Sequence, residues 1–207
     1  MKTTKGWGFL GICLVWVVLL TTGCRSDTEP SPEHQEPPRI RALERFEIGG
    51  DFTLADHEGR TFRLANHRGE AFLIFFGYTF CPDACPQTLA KLAEVYALLD
   101  LPPERKLTTL YITVDPERDT PSVIKTYLDY FARTPVTGLT GSVAEIDRVV
   151  AQYGAMYKKG TSTSAAEYLV THTTSLFLVD GEGKMRYLFR HGDTPEFIAG
   201  VVKQVWE

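Results

Sequence analysis

Residues 71–86 read AFLIFFGYTFCPDACP, a continuous apolar run that gives way to two cysteines. An apolar run without alternation is typical of a central strand that is covered on both faces. From Pro86 to Leu99, apolar residues recur at the spacing of a helix. This stretch therefore predicts a buried strand followed directly by a helix, with Cys81 and Cys85 at the junction.

The flanking segments continue the alternation of strands and helices. We predict a hairpin over 51–64, a strand over 107–114, helices over 120–132 and 142–153, a second hairpin over 174–189 and a last helix over 194–206. This order predicts an α/β fold: a thioredoxin-like central mixed sheet flanked by helices, with an N-terminal hairpin extension.

The first residues have the pattern of an export signal. Lys2 and Lys5 precede an apolar stretch over residues 6–20, and small residues lead to Cys24. This order resembles a bacterial lipobox, in which the cysteine becomes the lipidated N-terminus. We therefore predict a lipoprotein-type signal peptide over residues 1–23, with lipidation at Cys24.

An uncleaved anchor helix is the alternative for this leader. The lipobox usually carries leucine three residues before its cysteine, where this chain has Thr21. The apolar stretch, however, is shorter than the about 20 residues that a spanning helix needs. Under both readings the domain is anchored at the cell membrane and faces the periplasm or another extracytoplasmic space.

Residues 24–42 predict a linker, and residues 43–207 a single domain. The linker is polar and contains four prolines, which is typical of an extended spacer. Without residues 1–23 the chain has 20 basic and 26 acidic residues, so we expect no nucleic-acid partner. We expect a monomer.

Cys81 and Cys85 are the only cysteines of the predicted domain, since Cys13 and Cys24 belong to the leader. Pro86 disfavours helical geometry in the residue before it, so we predict Cys85 as the helix N-cap. Both sulfurs then face the positive end of the helix dipole, which favours thiolates. A small stapling disulfide is the alternative, but its short loop removes little chain entropy.

His172 is the best candidate for a third ligand beside the cysteine pair. Two thiolates suit Cu(I) or zinc, and a closed zinc site usually needs four ligands. In a thioredoxin-like sheet the loop before the penultimate strand passes the N-terminus of the first helix, and His172 occupies that loop. We therefore predict a metal site of Cys81, Cys85 and His172. The other histidines lie in polar surroundings and are expected to face solvent: His34, His57, His67 and His191.

A charged loop follows the second buried strand. Asp115, Arg118 and Asp119 lie at the sheet edge where the cysteines are expected. They can position the metal loop or a partner. A helix-capping turn at Asp119 or Thr120 before Pro121 explains the same residues equally well.

Three motifs together resemble the Sco/SenC family of copper proteins, from about Ile48 to the C-terminus. They are FGYTFCPDACP at 76–86, VDPERDTP at 114–121 and THTTSLFLVD at 171–180. The resemblance implies copper, as Cu(I) or Cu(II), bound by Cys81, Cys85 and His172. It implies a metallochaperone for the binuclear copper site of cytochrome c oxidase, with the copper-accepting subunit as partner. The family often has aspartate before the histidine, where this chain has Thr171.

Two alternatives assign catalysis to the cysteines. A thiol-disulfide reductase would use Cys81 as nucleophile, with Cys81 and Cys85 forming a redox disulfide that cannot bind metal. A peroxiredoxin-like peroxidase fits less well, because such enzymes have threonine three residues before the reactive cysteine and this chain has Tyr78. The chaperone has no turnover chemistry of its own.

Overall fold

The computed structural model describes residues 46–161 and 168–206. Two 3₁₀ helices, at Leu64–His67 and Lys203–Trp206, accompany the strands and α-helices. In chain order these are β1 (Thr53–Asp56), β2 (Thr61–Arg63), β3 (Ala71–Gly77), α1 (Ala84–Leu98), β4 (Leu107–Thr113), α2 (Pro121–Asp129), β5 (Val136–Thr140), α3 (Val143–Gln152), β6 (Tyr157–Lys159), β7 (Val170–His172), β8 (Leu176–Val179), β9 (Met185–Phe189) and α4 (Pro195–Val202).

Seven strands form the central sheet, in the order β2-β1-β5-β4-β3-β8-β9. The three inner strands β3, β4 and β5 are parallel, and the remaining pairs are antiparallel. The predicted mixed sheet with helices around it is therefore confirmed, including the N-terminal hairpin. The paired strands β6 and β7 form a separate two-stranded ribbon.

Strand β3 is buried on both faces, as its continuous apolar run predicts. Phe72, Ile74 and Phe76 belong to one core with side chains of α3. Leu73 and Phe75 belong to the opposite core, which contains side chains of α1, α2 and α4. Each fully buried side chain of this size contributes about 1.5–3 kcal/mol. This double burial fixes the end of β3, where the cysteines follow.

Helix α1 begins earlier than predicted. Its N-cap is Asp83, so Cys85 is the second helical residue and Pro86 the third. The prediction of Cys85 as N-cap is wrong. The N–H groups of a first helical turn have no acceptor within the helix, and a proline there loses no hydrogen bond. The backbone N–H of Gln87 is the one that donates to the Asp83 carbonyl, at 3.3 Å.

The ribbon and β5 are absent from the predicted element order. Strand β5 reads VTGLT and lacks a continuous apolar run, so its strand character depends on pairing with β4 and β1. Strand β7 ends at His172. We had expected His172 in a loop, but it lies at the end of this short strand.

Within residues 46–161 and 168–206, no helix is both long and apolar enough to cross a membrane. The predicted signal peptide, Cys24 and the predicted linker lie outside the described residues.

A substitution at Gly77 tests how closely α1 approaches β3. A Cβ at this position would lie 2.9 Å from Cys85 Sγ and 2.9 Å from the Tyr111 ring. We expect Gly77→Ala to lower the free energy of unfolding by about 1–3 kcal/mol, because the buried neighbours must shift. Urea unfolding of the reduced protein measures this change.

Gly192→Ala is the matched control. No heavy atom lies within 4 Å of its added Cβ. We expect a change within about 0.5 kcal/mol. Equal losses in the two variants would contradict the close contact at Gly77.

Candidate metal centre

Three separate elements bring together Cys81, Cys85 and His172. Cys81 lies in the loop between β3 and α1, Cys85 in the first turn of α1, and His172 at the end of β7. The Nε2 atom of His172 is 3.8 Å from Cys81 Sγ and 3.6 Å from Cys85 Sγ. The three ligand atoms all lie within 4.8 Å of one another. This group could hold a metal ion.

The imidazole of His172 is oriented by a backbone carbonyl. Its Nδ1 atom is 3.0 Å from the carbonyl oxygen of Thr173. A carbonyl can only accept, so Nδ1 donates to it, and Nε2 is the ring nitrogen that faces the two sulfurs. Thr171, where the family often has aspartate, is exposed. The orienting partner therefore comes from the backbone of the next residue.

One proton is shared unequally by the two thiols. A hydrogen bond from the Cys85 thiol lowers the pKa of Cys81 to about 3, against the opposing effect of burial, with help from His172 and from backbone N–H groups at the start of α1. The pKa of Cys85 is raised, because its proton is held by Cys81 and because it is buried. The expectation of two thiolates is therefore correct for Cys81 and wrong for Cys85. Both cysteines are free of a disulfide.

Asp119 anchors the metal loop to the end of β4. Its buried carboxylate accepts hydrogen bonds from the Thr79 backbone N–H at 3.0 Å, the Thr79 hydroxyl at 2.6 Å and the Thr113 hydroxyl at 2.7 Å. Burial raises the pKa of Asp119, and these hydrogen bonds oppose the rise. The Thr120 hydroxyl accepts from the Val123 backbone N–H at the start of α2. The charged loop therefore both positions the metal loop and caps a helix.

Tyr78 supports the histidine, and sequence reasoning missed this role. Its buried ring meets the His172 ring edge-on, with the ring centres 5.7 Å apart. Its hydroxyl accepts a hydrogen bond from the Val170 backbone N–H at 3.2 Å. Tyr78 stands three residues before Cys81, directly after the buried strand. This position is the sequence feature from which its role beside the site could have been predicted.

The other described histidines lie apart from the cysteine pair and are only partly exposed. The Nδ1 atom of His57 accepts from the Gly138 backbone N–H at 2.9 Å. His67 stacks on Phe62, with ring centres 4.9 Å apart. His191 lies after β9, and its Nδ1 is buried without a hydrogen-bond partner among the described residues. His34 lies outside them.

The match to known proteins agrees with this geometry. A model of the SCO1/SenC family matches residues 41–207. The chain belongs to the SCO1/SenC family. It is 34% identical over 184 residues to the mitochondrial SCO1 homolog of mouse. The alignment covers 88% of this chain and 64% of the mouse protein.

Two solved family members that share this fold have copper bound. ScoI of Bradyrhizobium japonicum with copper bound is 37% identical, with a TM-score of 0.68 over 76% of this chain and 99% of that one. Yeast Sco1 with copper bound is 31% identical, with a TM-score of 0.70 over 77% of this chain and 88% of that one. The thioredoxin-like Sco fold of this chain is therefore confirmed.

The unequal thiols predict selective labelling of Cys81. A thiol of ordinary pKa, about 8.5, is almost fully protonated at about pH 5. Because Cys81 is already a thiolate there, iodoacetamide should label it at nearly the same rate from about pH 5 to about pH 8. Peptide mapping by mass spectrometry assigns the labelled residue.

Cys85→Ala is the control for this pH profile. It removes the donor that holds the proton, so labelling of Cys81 should become dependent on pH. Faster labelling of Cys85 than of Cys81 in the unsubstituted protein would contradict the assignment.

Proposed function

We propose that this protein is a membrane-tethered copper metallochaperone that delivers copper to the binuclear copper site of cytochrome c oxidase. The convergence of Cys81, Cys85 and His172 carries the proposal. It is supported by membership of a family that includes proteins solved with copper bound. The copper-accepting subunit of the oxidase is the proposed partner.

The donor set fits copper. Two sulfurs suit Cu(I), and an imidazole beside them also suits Cu(II). A closed zinc site takes four protein ligands, whereas the group formed by the described residues has three. Three ligands leave room for a donor from the recipient during transfer.

The two cysteines have different parts in binding and release. Cys81 is partly exposed and Cys85 is buried. Binding of copper by both sulfurs displaces the proton of Cys85, so uptake releases a proton. A recipient's ligand can approach from the side of Cys81, while Cys85 is held in the first turn of α1.

A thiol-disulfide reductase is the second candidate function. The low pKa of Cys81 favours it, because the thiolate is the attacking species. Cys81 would attack a disulfide of the target and form a mixed disulfide, while the first target sulfur would leave as a thiolate that can take up the proton of Cys85. Cys85 would then displace the second target sulfur and close the Cys81–Cys85 disulfide. His172 as a ligand is needed only by the copper function.

His172→Ala separates the two functions. We expect Cu(II) affinity to fall by more than the about 10–100-fold that loss of an outer partner costs, with the sulfur-to-copper charge-transfer absorption lost or shifted. Cu(I) should be retained in part by the two thiolates. Disulfide formation should remain. Competition titrations with chelators and absorption spectra measure these changes.

His191→Ala is the control histidine, and circular dichroism checks folding in both variants. His172 contacts the rings of Tyr78 and Phe75, so its removal should cost about 1 kcal/mol of stability. If His172→Ala kept the Cu(II) affinity and spectrum while His191→Ala lost them, the ligand assignment would be wrong.

Membrane attachment through Cys24 is also part of the proposal. Two or three acyl chains on one cysteine hold a protein stably at a bilayer, whereas one holds it marginally. We expect Cys24→Ala to change the apparent mass and to release soluble protein on cell fractionation. Unchanged mass and unchanged attachment would favour the uncleaved anchor helix.

A further inference from the structure

Arg118 lies between the segment that carries Cys81 and the segment that leads to His172. Its guanidinium carbon is 3.7 Å from the centre of the Tyr168 ring and 4.8 Å from the centre of the Phe80 ring. Phe80 directly precedes Cys81, and Tyr168 stands four residues before His172. One cation therefore contacts an aromatic neighbour of each ligand-bearing segment.

Asp115 holds Arg118 in this place. The Nε atom of Arg118 donates to the carboxylate of Asp115, which is fully buried, and the Arg118 side chain is only 12% exposed. The same carboxylate accepts from the Tyr168 hydroxyl at 2.5 Å and lies 3.7 Å from Nζ of Lys159 on β6. Hydrogen bonds between charged groups are short and strong. The loop after β4 is thus tied to β6 through Lys159 and to the segment that leads into β7 through Tyr168.

The surroundings of Arg118 are largely aromatic, because the rings of Tyr78, Phe80 and Tyr168 all lie next to its guanidinium. Its Nη2 atom is buried and has no hydrogen-bond partner within the described part of the chain. A planar guanidinium can stack on a ring while the N–H groups in its plane donate to a carboxylate, whereas the compact ammonium group of lysine has no plane to stack. The contacts of Arg118 with Phe80, Tyr168 and Asp115 use both properties.

We propose that Arg118 is a positioning residue that holds the Cys81 loop and the His172 strand at the separation that lets imidazole and sulfurs share one ion. The inference rests on the proposed copper site and adds the residue that sets its geometry. Two thiolates retain Cu(I) without the imidazole, whereas Cu(II) needs it. Arg118 therefore governs the preference of the site between the two oxidation states of copper.

Arg118→Gln, Tyr168→Leu and the double variant test this role in the reduced full-length protein. We expect each single change to weaken Cu(II) binding by about 10–100-fold and to shift the sulfur-to-copper absorption, with Cu(I) affinity changed by less than about threefold. The double variant should lose no more than the stronger single variant, because both changes remove the same contact. Chelator competition gives the two affinities.

Arg105→Gln is the matched control. The Arg105 guanidinium also lies over an aromatic ring, 5.7 Å from the centre of Trp206, but it precedes β4 at the opposite end from Asp115. Its removal should leave both copper affinities unchanged. If Arg118→Gln does not fold, Arg118→Lys replaces it, since lysine retains the charge opposite Asp115 and loses the stacking on the two rings.

Amide hydrogen exchange of the metal-free protein gives an independent readout. The Arg118 guanidinium carbon also lies 5.7 Å from the centre of the Tyr78 ring, and the Tyr78 hydroxyl accepts from the Val170 backbone N–H. The Val170 N–H should therefore exchange faster in Arg118→Gln and at the normal rate in Arg105→Gln. An unchanged ratio of Cu(II) to Cu(I) affinity in folded variants would overturn the positioning role. Absence of copper binding by the unsubstituted protein would instead overturn the proposed function, and Val170 exchange would still show whether Arg118 holds the ribbon.

Discussion

The contact between the end of β3 and the first turn of α1 determines where the site is built. Gly77 has no side chain, and Cys85 Sγ and the Tyr111 ring fill the space that a Cβ would take. The contact is rigid because β3 is buried on both faces. With Cys85 held there, the loop that carries Cys81 has little freedom, and Asp119 fixes its first half through Thr79. The thiol pair is thus prearranged before any ion arrives.

The parts of the fold that bury a continuous or periodic apolar pattern could be predicted from the sequence. Strand β3 and the helices with side-chain caps at Thr120, Ser142 and Thr194 are of this kind. Strand β5 and the ribbon could not, because their short segments become strands only by pairing with neighbours. For the site, the predicted fold was needed: the cysteine pair lies at a strand-to-helix junction and His172 lies before the penultimate strand of a thioredoxin-like sheet, and these positions predicted that the three residues come together. The support from Tyr78 and from the Thr173 carbonyl depends on tertiary contacts that no local pattern encodes.

A shared proton links the two kinds of chemistry that the thiol pair allows. Cys81 is a thiolate because Cys85 donates to it, and the same donation keeps Cys85 protonated. A metal ion must displace this proton, and a disulfide must remove it together with two electrons. Copper binding and oxidation therefore exclude each other at one pair of atoms. A protein with such a pair can carry copper only where its surroundings keep the thiols reduced.

The ribbon that carries His172 is held in register by only three residue pairs, with His172 opposite Tyr157. Successive side chains of a strand point to opposite faces, so a slip by one residue would turn His172 away from the sulfurs and present a threonine in its place. Changes of chain length between Lys159 and Val170 are therefore constrained even though Cys81, Cys85 and His172 all lie outside this segment. An insertion in this segment is compatible with the site only if it leaves the Tyr157–His172 pair aligned. The length of the connecting segment is thus linked to the metal centre through strand alignment and not through direct contact.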